Sequence, residues 1–429
     1  MLFKKSLKLA HAFTLSFIAV ILTGTFFLTL PASTVDGEGA SFLDALFTIT
    51  SSVCAVGLSV VDTGTYFTQL GQAVILISIQ MGGLGIMILS IFFSASNIKS
   101  LRNLVRSVAL IALLVELFGA LFLFAAWQGE FKTLGMRLWW SIFHAVSAFC
   151  NAGFTLSSTS LSRWVDNPWV CSVFMLLITL GGIGFLVLAD LARPRVWSIW
   201  KPSAIWNRLQ IQTKVVLGAT LVLNLLGMLL FLFLEYDGVL APLSTGAKIH
   251  TALFQAITAR TAGFHTVSFS LISPATLLFL VVWMFVGASP GSTGGGIKTT
   301  TATLSLMAFK AMLTGRKNIE LFGRRIPPVV INRSLSIILV SAFVVIFFLM
   351  LLLGTQSLPF ERLLFEAISA FGTVGLSIDT TEKLDSLGRF LIIVLMLVGR
   401  VGPLTVALAI GEKIQARNYR YPEGRIAVG

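Results

Sequence analysis

One short pattern occurs four times in this chain and constrains its architecture more than any other feature. Phe47–Leu58 reads FTITSSVCAVGL, Phe143–Phe154 reads FHAVSAFCNAGF, Phe254–Phe264 reads FQAITARTAGF and Phe365–Ser377 reads FEAISAFGTVGLS. Each copy opens on Phe, carries Ser or Thr at its middle and closes on a Gly followed by Leu or Phe. The Phe-to-Gly offset is ten in the first, second and fourth copies and nine in the third. In the fourth copy Phe365, Ala367 and Ile368 give a run of about eight or nine residues one apolar side, which predicts a small helix. Gly372-Thr373-Val374-Gly375 follows, with little side-chain bulk. Neither a strand nor a long helix is built this way. A short helix ending in a Gly-bounded extended turn suits a backbone that must aim its carbonyls at something. Re-entrant loops that only pack together, with no path between them, are the plainer alternative.

The surroundings of these units are lipid. The chain is 56% hydrophobic and 11% charged, where a soluble domain is roughly a quarter charged. Composition therefore indicates a polytopic membrane protein, and the helical runs on either side of each copy make the expected class all-α integral membrane. Cys54, Cys150 and Cys171 have no CxxC spacing, and the four histidines are scattered. Neither a disulfide framework nor a transition-metal site is expected.

Each copy lies between two apolar runs. These are Ala12–Leu30 and Leu70–Ser94, Val108–Trp127 and Pro168–Ala189, Val215–Leu234 and Pro274–Leu313, Ser336–Gly354 and Leu387–Ala409. The sequence thus predicts eight transmembrane helices and four half-membrane loops, as helix–re-entrant P-loop–helix repeats. They occupy residues 10–98, 99–195, 205–315 and 325–416, with 417–429 as a tail. Lys4, Lys5 and Lys8, with small residues near Pro31-Ala32-Ser33, would also fit a signal peptide. Against that, the first run is about 19 residues, long enough to span, and it fills the place of the first helix in every later repeat.

Charge sets the orientation. The net charge is +13, which could suggest nucleic acid, but most Lys and Arg fall in the termini and the links between repeats. The links inside repeats hold only Lys132, Arg137, Arg163, Lys248, Arg362, Lys383 and Arg389. Basic residues mark the cytoplasmic side, so both termini are predicted inside and the re-entrant loops enter from outside. Nucleic acid is not an expected partner. Most acids, including Asp36, Glu38, Asp62, Asp379, Glu382 and Asp385, fall on the outer side. They could form a vestibule that concentrates cations, or be ordinary solvated loop charge.

The second run of each repeat carries a glycine cluster: Gly82-Gly83-Leu84-Gly85, Gly181-Gly182-Ile183-Gly184, Gly287 onward, and Gly399-Arg400-Val401-Gly402-Pro403. Small residues let helices cross closely, and packing alone accounts for the first two. The third, VGASPGSTGGGIKTTT at Val286–Thr301, interrupts its run in the middle. Pro290 removes a helix hydrogen bond and the glycines weaken helix further. Irregular backbone at membrane depth survives only where it lines a cavity or is covered by protein. A phosphate-binding loop is a near match, but Ile297 intervenes between Gly296 and Lys298-Thr299, so the lysine is out of register. A mobile plug is the better reading, with Gly287, Ser289, Pro290, Gly291, Ser292, Thr293, Gly294, Gly295, Gly296 and Lys298 as its residues. In the fourth cluster Arg400 is a charge at membrane depth. It acts there either as an electrostatic barrier or as a structural partner of Glu412 or Glu116.

CNAGF at 150–154, ARTAGF at 259–264, TVGLS at 373–377, GASPGSTGGGIKTTT at 287–301 and GRVGPLT at 399–405 resemble the ion-translocating subunit of bacterial Ktr-type potassium uptake systems. These belong to the Trk/Ktr/HKT superfamily. The resemblance runs from Ala12 to about Ala416, and Tyr421-Pro422-Glu423 is also similar to Ktr tails. It implies a pseudo-fourfold arrangement around one central pore, homodimerisation, and a cytoplasmic nucleotide-binding regulatory ring. It implies that loop 287–298 and Arg400 form a gate under the filter. Potassium is then the substrate and sodium a candidate activator, with nucleotide on the partner and no cofactor in this chain. The first filter, Cys54-Ala55-Val56-Gly57, departs from the pattern, because relatives usually carry a polar residue before the glycine. Gly57 stands where the sodium-selective plant branch has serine.

The residues also state a mechanism. Carbonyls of Cys54-Ala55-Val56-Gly57, Cys150-Asn151-Ala152-Gly153, Arg260-Thr261-Ala262-Gly263 and Gly372-Thr373-Val374-Gly375 would replace the water shell of a cation. No paired catalytic carboxylates or nucleophile triad is visible, so an enzyme is not expected. A sodium-translocating or symporting transporter of the same superfamily is the alternative. It would need unwound spans in matched halves, and only one span reads as strongly broken.

Overall fold

The chain runs four times through a long helix, a shorter helix and a further helix. The first unit holds α1 (Leu2–Leu28), α2 (Phe42–Val53) and α3 (Gln69–Phe92). The second holds α4 (Ile98–Ala126), α5 (Leu134–Phe149), α6 (Pro168–Ile183) and α7 (Phe185–Leu191). The third holds α8 (Ile211–Glu235), α9 (Thr245–Thr258), α10 (Pro274–Phe285) and α11 (Thr299–Leu313). The fourth holds α12 (Pro328–Thr355), α13 (Phe360–Gly372) and α14 (Ser386–Val401). A two-residue hairpin, β1 (Glu320–Leu321) with β2 (Arg324–Arg325), joins the last two units. The computed structural model describes residues 2–92, 98–193, 196, 202–316 and 318–402. Glu412, the Pro403-Leu404-Thr405 end of the fourth cluster and the 417–429 tail with Tyr421-Pro422-Glu423 lie outside the described residues.

Local chemistry starts several of the helices. Ser41, Thr133 and Ser244 cap α2, α5 and α9 by accepting from the amide three residues on. Asn167-Pro168 and Ser273-Pro274 open α6 and α10, each a capping side chain followed by the residue that suits a first helical position. The short helices are 12, 16, 14 and 13 residues long, so the eight or nine residues expected from apolar periodicity fall short. In the fourth copy the missing turn is the N-terminal one, Phe360–Leu364, which precedes the apolar side read from Phe365 onward.

Burial places the short helices inside. Phe47, Phe143, Phe254 and Phe365, which open the four copies, are all buried. Long helices show apolar side chains outward: Leu113, Leu117 and Leu121 on α4, Leu221, Leu225 and Phe233 on α8, and Leu339, Phe343 and Met350 on α12 are exposed. Such a surface belongs in lipid. Among the described residues, Val105–Ala126, Ile211–Glu235 and Pro328–Thr355 are each long and apolar enough to cross a membrane. Between units the packing is cyclic. α3 packs on α5, α6 on α9, α10 on α13, and α14 returns to α2.

One expectation fails in the second unit. The run Pro168–Ala189 is not a continuous helix. α6 and α7 meet at 100° across Gly184, whose φ of 88° and ψ of 151° are open essentially to glycine alone. Together with the break between α10 and α11, more than one second helix is therefore interrupted, and the second cluster does more than let helices cross.

Candidate functional site

The four closing glycines meet. A Cβ placed on Gly57 would lie 2.7 Å from the Ala152 carbonyl oxygen and 2.8 Å from the Gly153 Cα. On Gly153 it would lie 3.0 Å from the Ala262 carbonyl oxygen and 3.1 Å from the Gly263 Cα. On Gly263 it would lie 2.8 Å from the Val374 carbonyl oxygen and 3.4 Å from the Gly375 Cα. On Gly375 it would strike the Val56 carbonyl and come within 3.0 Å of the Gly57 Cα. Each glycine thus faces the carbonyl that precedes the next, in the order of the chain. No side chain fits in that ring.

The turns share one backbone. Ala55, Asn151, Thr261 and Thr373 have φ of 47°, 53°, 73° and 51°, and the glycines two residues later have φ of 96°, 72°, 80° and 87°. Left-handed backbone at a β-branched threonine is costly and persists only where its surroundings hold it. The amides of Val56, Ala152 and Val374 each donate at 2.8 Å to the carbonyl five residues back, at Ser51, Ser147 and Ser369. Ala262 donates instead to Thr258, four residues back, at 2.9 Å. This accounts for the nine-residue offset of the third copy. One residue is missing from the helix end, and the turn itself keeps its register.

The Ser or Thr at mid-helix fastens the turn. The Gly57 amide donates to Ser51 Oγ and the Gly375 amide to Ser369 Oγ, both at 3.1 Å. Ser147 Oγ donates to the Phe154 carbonyl at 2.8 Å and Thr258 Oγ1 to that of Phe264 at 2.6 Å. Cys54 and Cys150 sit at the C-terminal ends of α2 and α5, and Gly372 closes α13. The Arg260 side chain leaves the ring and donates to Asn224 Oδ1 at 2.8 Å.

Above the ring is a cavity of about 260 Å³ lined by Gly57, Gly153, Gly263 and Gly375 together with Asp62, Asp379, Glu382 and His265. Three of the outer acids named from the sequence therefore do face the ring. Burial holds His265 down to about 4 from its ordinary value of 6.5, opposed by the Asp379 carboxylate. Among the described residues no group of three or more His, Cys, Asp or Glu could hold a metal ion.

Beneath the ring runs the loop between α10 and α11. Its Ser289, Ser292 and Thr293 are fully buried. The Gly295 amide donates to Thr373 Oγ1 at 2.8 Å, and Thr293 Oγ1 donates to the Phe149 carbonyl at 3.1 Å. Ser289 and Thr293 donate their amides to Gly182 and Gly181 at 3.0 and 3.3 Å, while the Gly291 carbonyl accepts from the Phe185 amide at 2.9 Å. The loop therefore docks against the second cluster, and Gly184 makes room for it: a Cβ there would lie 2.7 Å from the Pro290 carbonyl oxygen. Gly287 pairs with Ile297 at 2.9 Å and closes the loop's base. The Gly296 backbone turns left-handed at φ 65°. Lys298 Nζ donates to the Gly294 carbonyl at 2.7 Å. The Arg400 guanidinium donates to the Thr293 carbonyl and, at 3.4 Å, to that of Gly82. Glu116 instead accepts from Gln80 Nε2 at 2.9 Å, so of the two carboxylate partners expected for Arg400 Glu116 is bonded elsewhere, and the guanidinium takes one carbonyl of the loop and one of α3. The docking role of Gly181, Gly182 and Gly184 was not legible in the sequence. Its only signal was the recurrence of glycine at corresponding places.

Comparison with known proteins identifies the family. Residues 92–420 match the TrkH family, described as a cation transport protein. Ktr system potassium uptake protein B of Vibrio alginolyticus is 36% identical over 439 residues, covering 97% of this chain and 94% of that protein. Potassium/sodium uptake protein NtpJ of Enterococcus hirae is 34% identical over 454 residues, covering 99% of this chain and 98% of that protein. The crystal structure of the potassium transporter TrkH from Vibrio parahaemolyticus shares the fold, with a TM-score of 0.76 at 18% identity over 92% of this chain and 84% of that one. This chain is a membrane-embedded protein and belongs to the TrkH family of cation transport proteins.

Proposed function

We propose that the chain carries potassium across the bacterial cell membrane through a channel-like pore. In this reading four helix–re-entrant–helix repeats, making eight crossings, stand pseudo-fourfold about one axis. The carbonyls of residues 54–57, 150–153, 260–263 and 372–375 replace the water shell of the ion. The C-terminal ends of the short helices add negative potential at the centre. Loop 287–298, with Arg400, obstructs the path below. The observation that carries the reading is the closed ring of Gly57, Gly153, Gly263 and Gly375 beneath an acid-lined cavity.

Both termini face the cytoplasm. The basic links on that side bind a cytoplasmic nucleotide-binding ring, as the membership of named relatives in a Ktr system suggests, and the chain forms a homodimer. Sodium is an activator to be tested. A sodium-translocating or symporting transporter is the second reading. It is favoured by the potassium/sodium name of one relative and by the breaks at Gly184 and between α10 and α11.

Purified protein in liposomes, loaded with labelled rubidium under imposed gradients with and without sodium, separates the two. A pore conducts rubidium down its own gradient without sodium, whereas obligatory coupling to a sodium gradient would establish the second reading. Gly57→Ser is expected to lower the preference for rubidium over sodium. Unchanged competition would remove the first copy from the filter.

A further inference from the structure

The residue directly after each opening phenylalanine is polar in all four copies: Thr48, His144, Gln255 and Glu366. Each is 0% exposed. A polar group buried at this depth is costly unless it is bonded, and three of the four bond to the segment that leaves the ring. His144 Nδ1 is held by the Trp140 carbonyl at 2.8 Å, which puts the proton there and leaves Nε2 to accept from the Leu156 amide at 3.3 Å. Gln255 Nε2 donates to Thr266 Oγ1 at 3.0 Å. Glu366 accepts from Ser377 Oγ at 2.7 Å and also from Thr381 Oγ1. Thr48 Oγ1 has no partner among the described residues.

We propose that His144, Gln255 and Glu366 are positioning residues that set ion preference by bracing the outgoing side of the filter, with Glu366 the strongest brace. The proposal rests on the carbonyl-filter reading above. Three different side chains perform one task from one register position, which packing alone does not require. Glu366 has the most to hold. Its carboxyl group ties Ser377, two residues beyond Gly375, to Thr381, and Ser377 Oγ in turn accepts the Thr380 amide at 3.2 Å. Gly375 is therefore fixed on both sides, by Ser369 on its amide and by Glu366 through Ser377. Carbonyls discriminate between cations of different size only as far as they resist closing on the smaller one. A brace on the outgoing segment supplies that resistance, as supporting bonds do for any preorganised site.

The test is rubidium uptake by purified protein in liposomes, competed by sodium, beside thermal melting of the same variants in detergent. Glu366→Ala is expected to reduce the preference for rubidium over sodium about tenfold, and Glu366→Gln, which keeps one acceptor, by less. Ser377→Ala should lower it too, and combined with Glu366→Ala should add little. His144→Leu and Gln255→Leu should move preference in the same direction, and Thr48→Val should not. Wild-type preference in Glu366→Ala, Glu366→Gln and Ser377→Ala alike would overturn the brace, whatever happened to melting. Gly375→Ser separates the two readings. Loss of preference there, with none in Glu366→Ala, sinks the brace alone, while no loss in either sinks the filter itself. Where Glu366→Ala does not fold, Glu366→Gln and Ser377→Ala decide.

Discussion

The Arg400 guanidinium donates to the Thr293 carbonyl and so joins the last turn of α14 to the middle of the loop beneath the glycine ring. Both residues are buried, and Arg400 Nε has no partner among the described residues. A guanidinium carries five donors. Here backbone oxygens satisfy part of the set, and in the proposed reading the charge stands in the path of the cation.

That contact predicts a restrained pore. Bonds to a charged group contribute about 1.5–3 kcal/mol, so Arg400→Ala should raise cation flux by about tenfold or more by releasing the loop and removing the positive barrier. Deleting Ser292–Gly295 should raise it as well and leave ion preference largely intact, since the ring is built from other segments. The two changes together should fall short of their sum. Rubidium flux in liposomes checks this. A correctly inserted deletion variant with reduced flux would mean that the loop supports the pore.

Much of this site could be read from the chain, because Phe and Gly at fixed offsets are distinctive in any lipid-facing composition. The left-handed residues could not. Thr261 and Thr373 are β-branched, and local propensity argues against positive φ there. For Thr373 the holding bond comes from Gly295, distant in sequence. The break at Gly184 was hidden for a similar reason. Pro168–Ala189 carries no charge, and what bends it is a loop about a hundred residues later, whose Gly291 carbonyl takes the Phe185 amide.

His265 gives a pH prediction. Its folded value of about 4 lies below the ordinary 6.5, so between these the unfolded chain binds the proton and the folded chain does not. Stability then rises with pH across that window and is lost as pH falls toward 4. Melting in detergent should drop more steeply from pH 6.5 to 4 for the wild type than for His265→Phe. Equal slopes would assign the acid loss to other groups.

The hairpin between the third and fourth units tests the partner reading. Arg324 and Arg325 are exposed on β2, and Phe322 packs edge-on against Trp206. The Lys310–Arg333 link thus carries a short hairpin that leans on Trp206. Neutralising Arg316, Lys317, Arg324 and Arg325 (Lys317 lies outside the described residues) should weaken co-purification with the cognate cytoplasmic ring. If only binding to anionic vesicles fell and ring binding persisted, these charges would serve the membrane surface.

The last prediction concerns Gly184. Its backbone lies where a side chain costs about 1–3 kcal/mol, and a Cβ would press on the Pro290 carbonyl oxygen at 2.7 Å. Gly184→Ala should therefore either straighten the α6–α7 bend or push the loop from its seat, and both displace Thr293 from beneath the ring. The expected result is higher rubidium flux with lower melting temperature. Gly218, inside α8, offers open space to a methyl group, with nothing among the described residues within 4 Å of where its Cβ would stand. Gly218→Ala should therefore gain about 0.5–1 kcal/mol from reduced backbone freedom and leave flux unchanged. The pair separates a local strain from a general loss of helix stability. If both variants changed flux alike, the bend at Gly184 would have no particular connection to the loop. If Gly184→Ala melted lower with wild-type flux, the loop would hold its position through its other bonds, those to Arg400, Thr373, Phe149, Gly181 and Gly182.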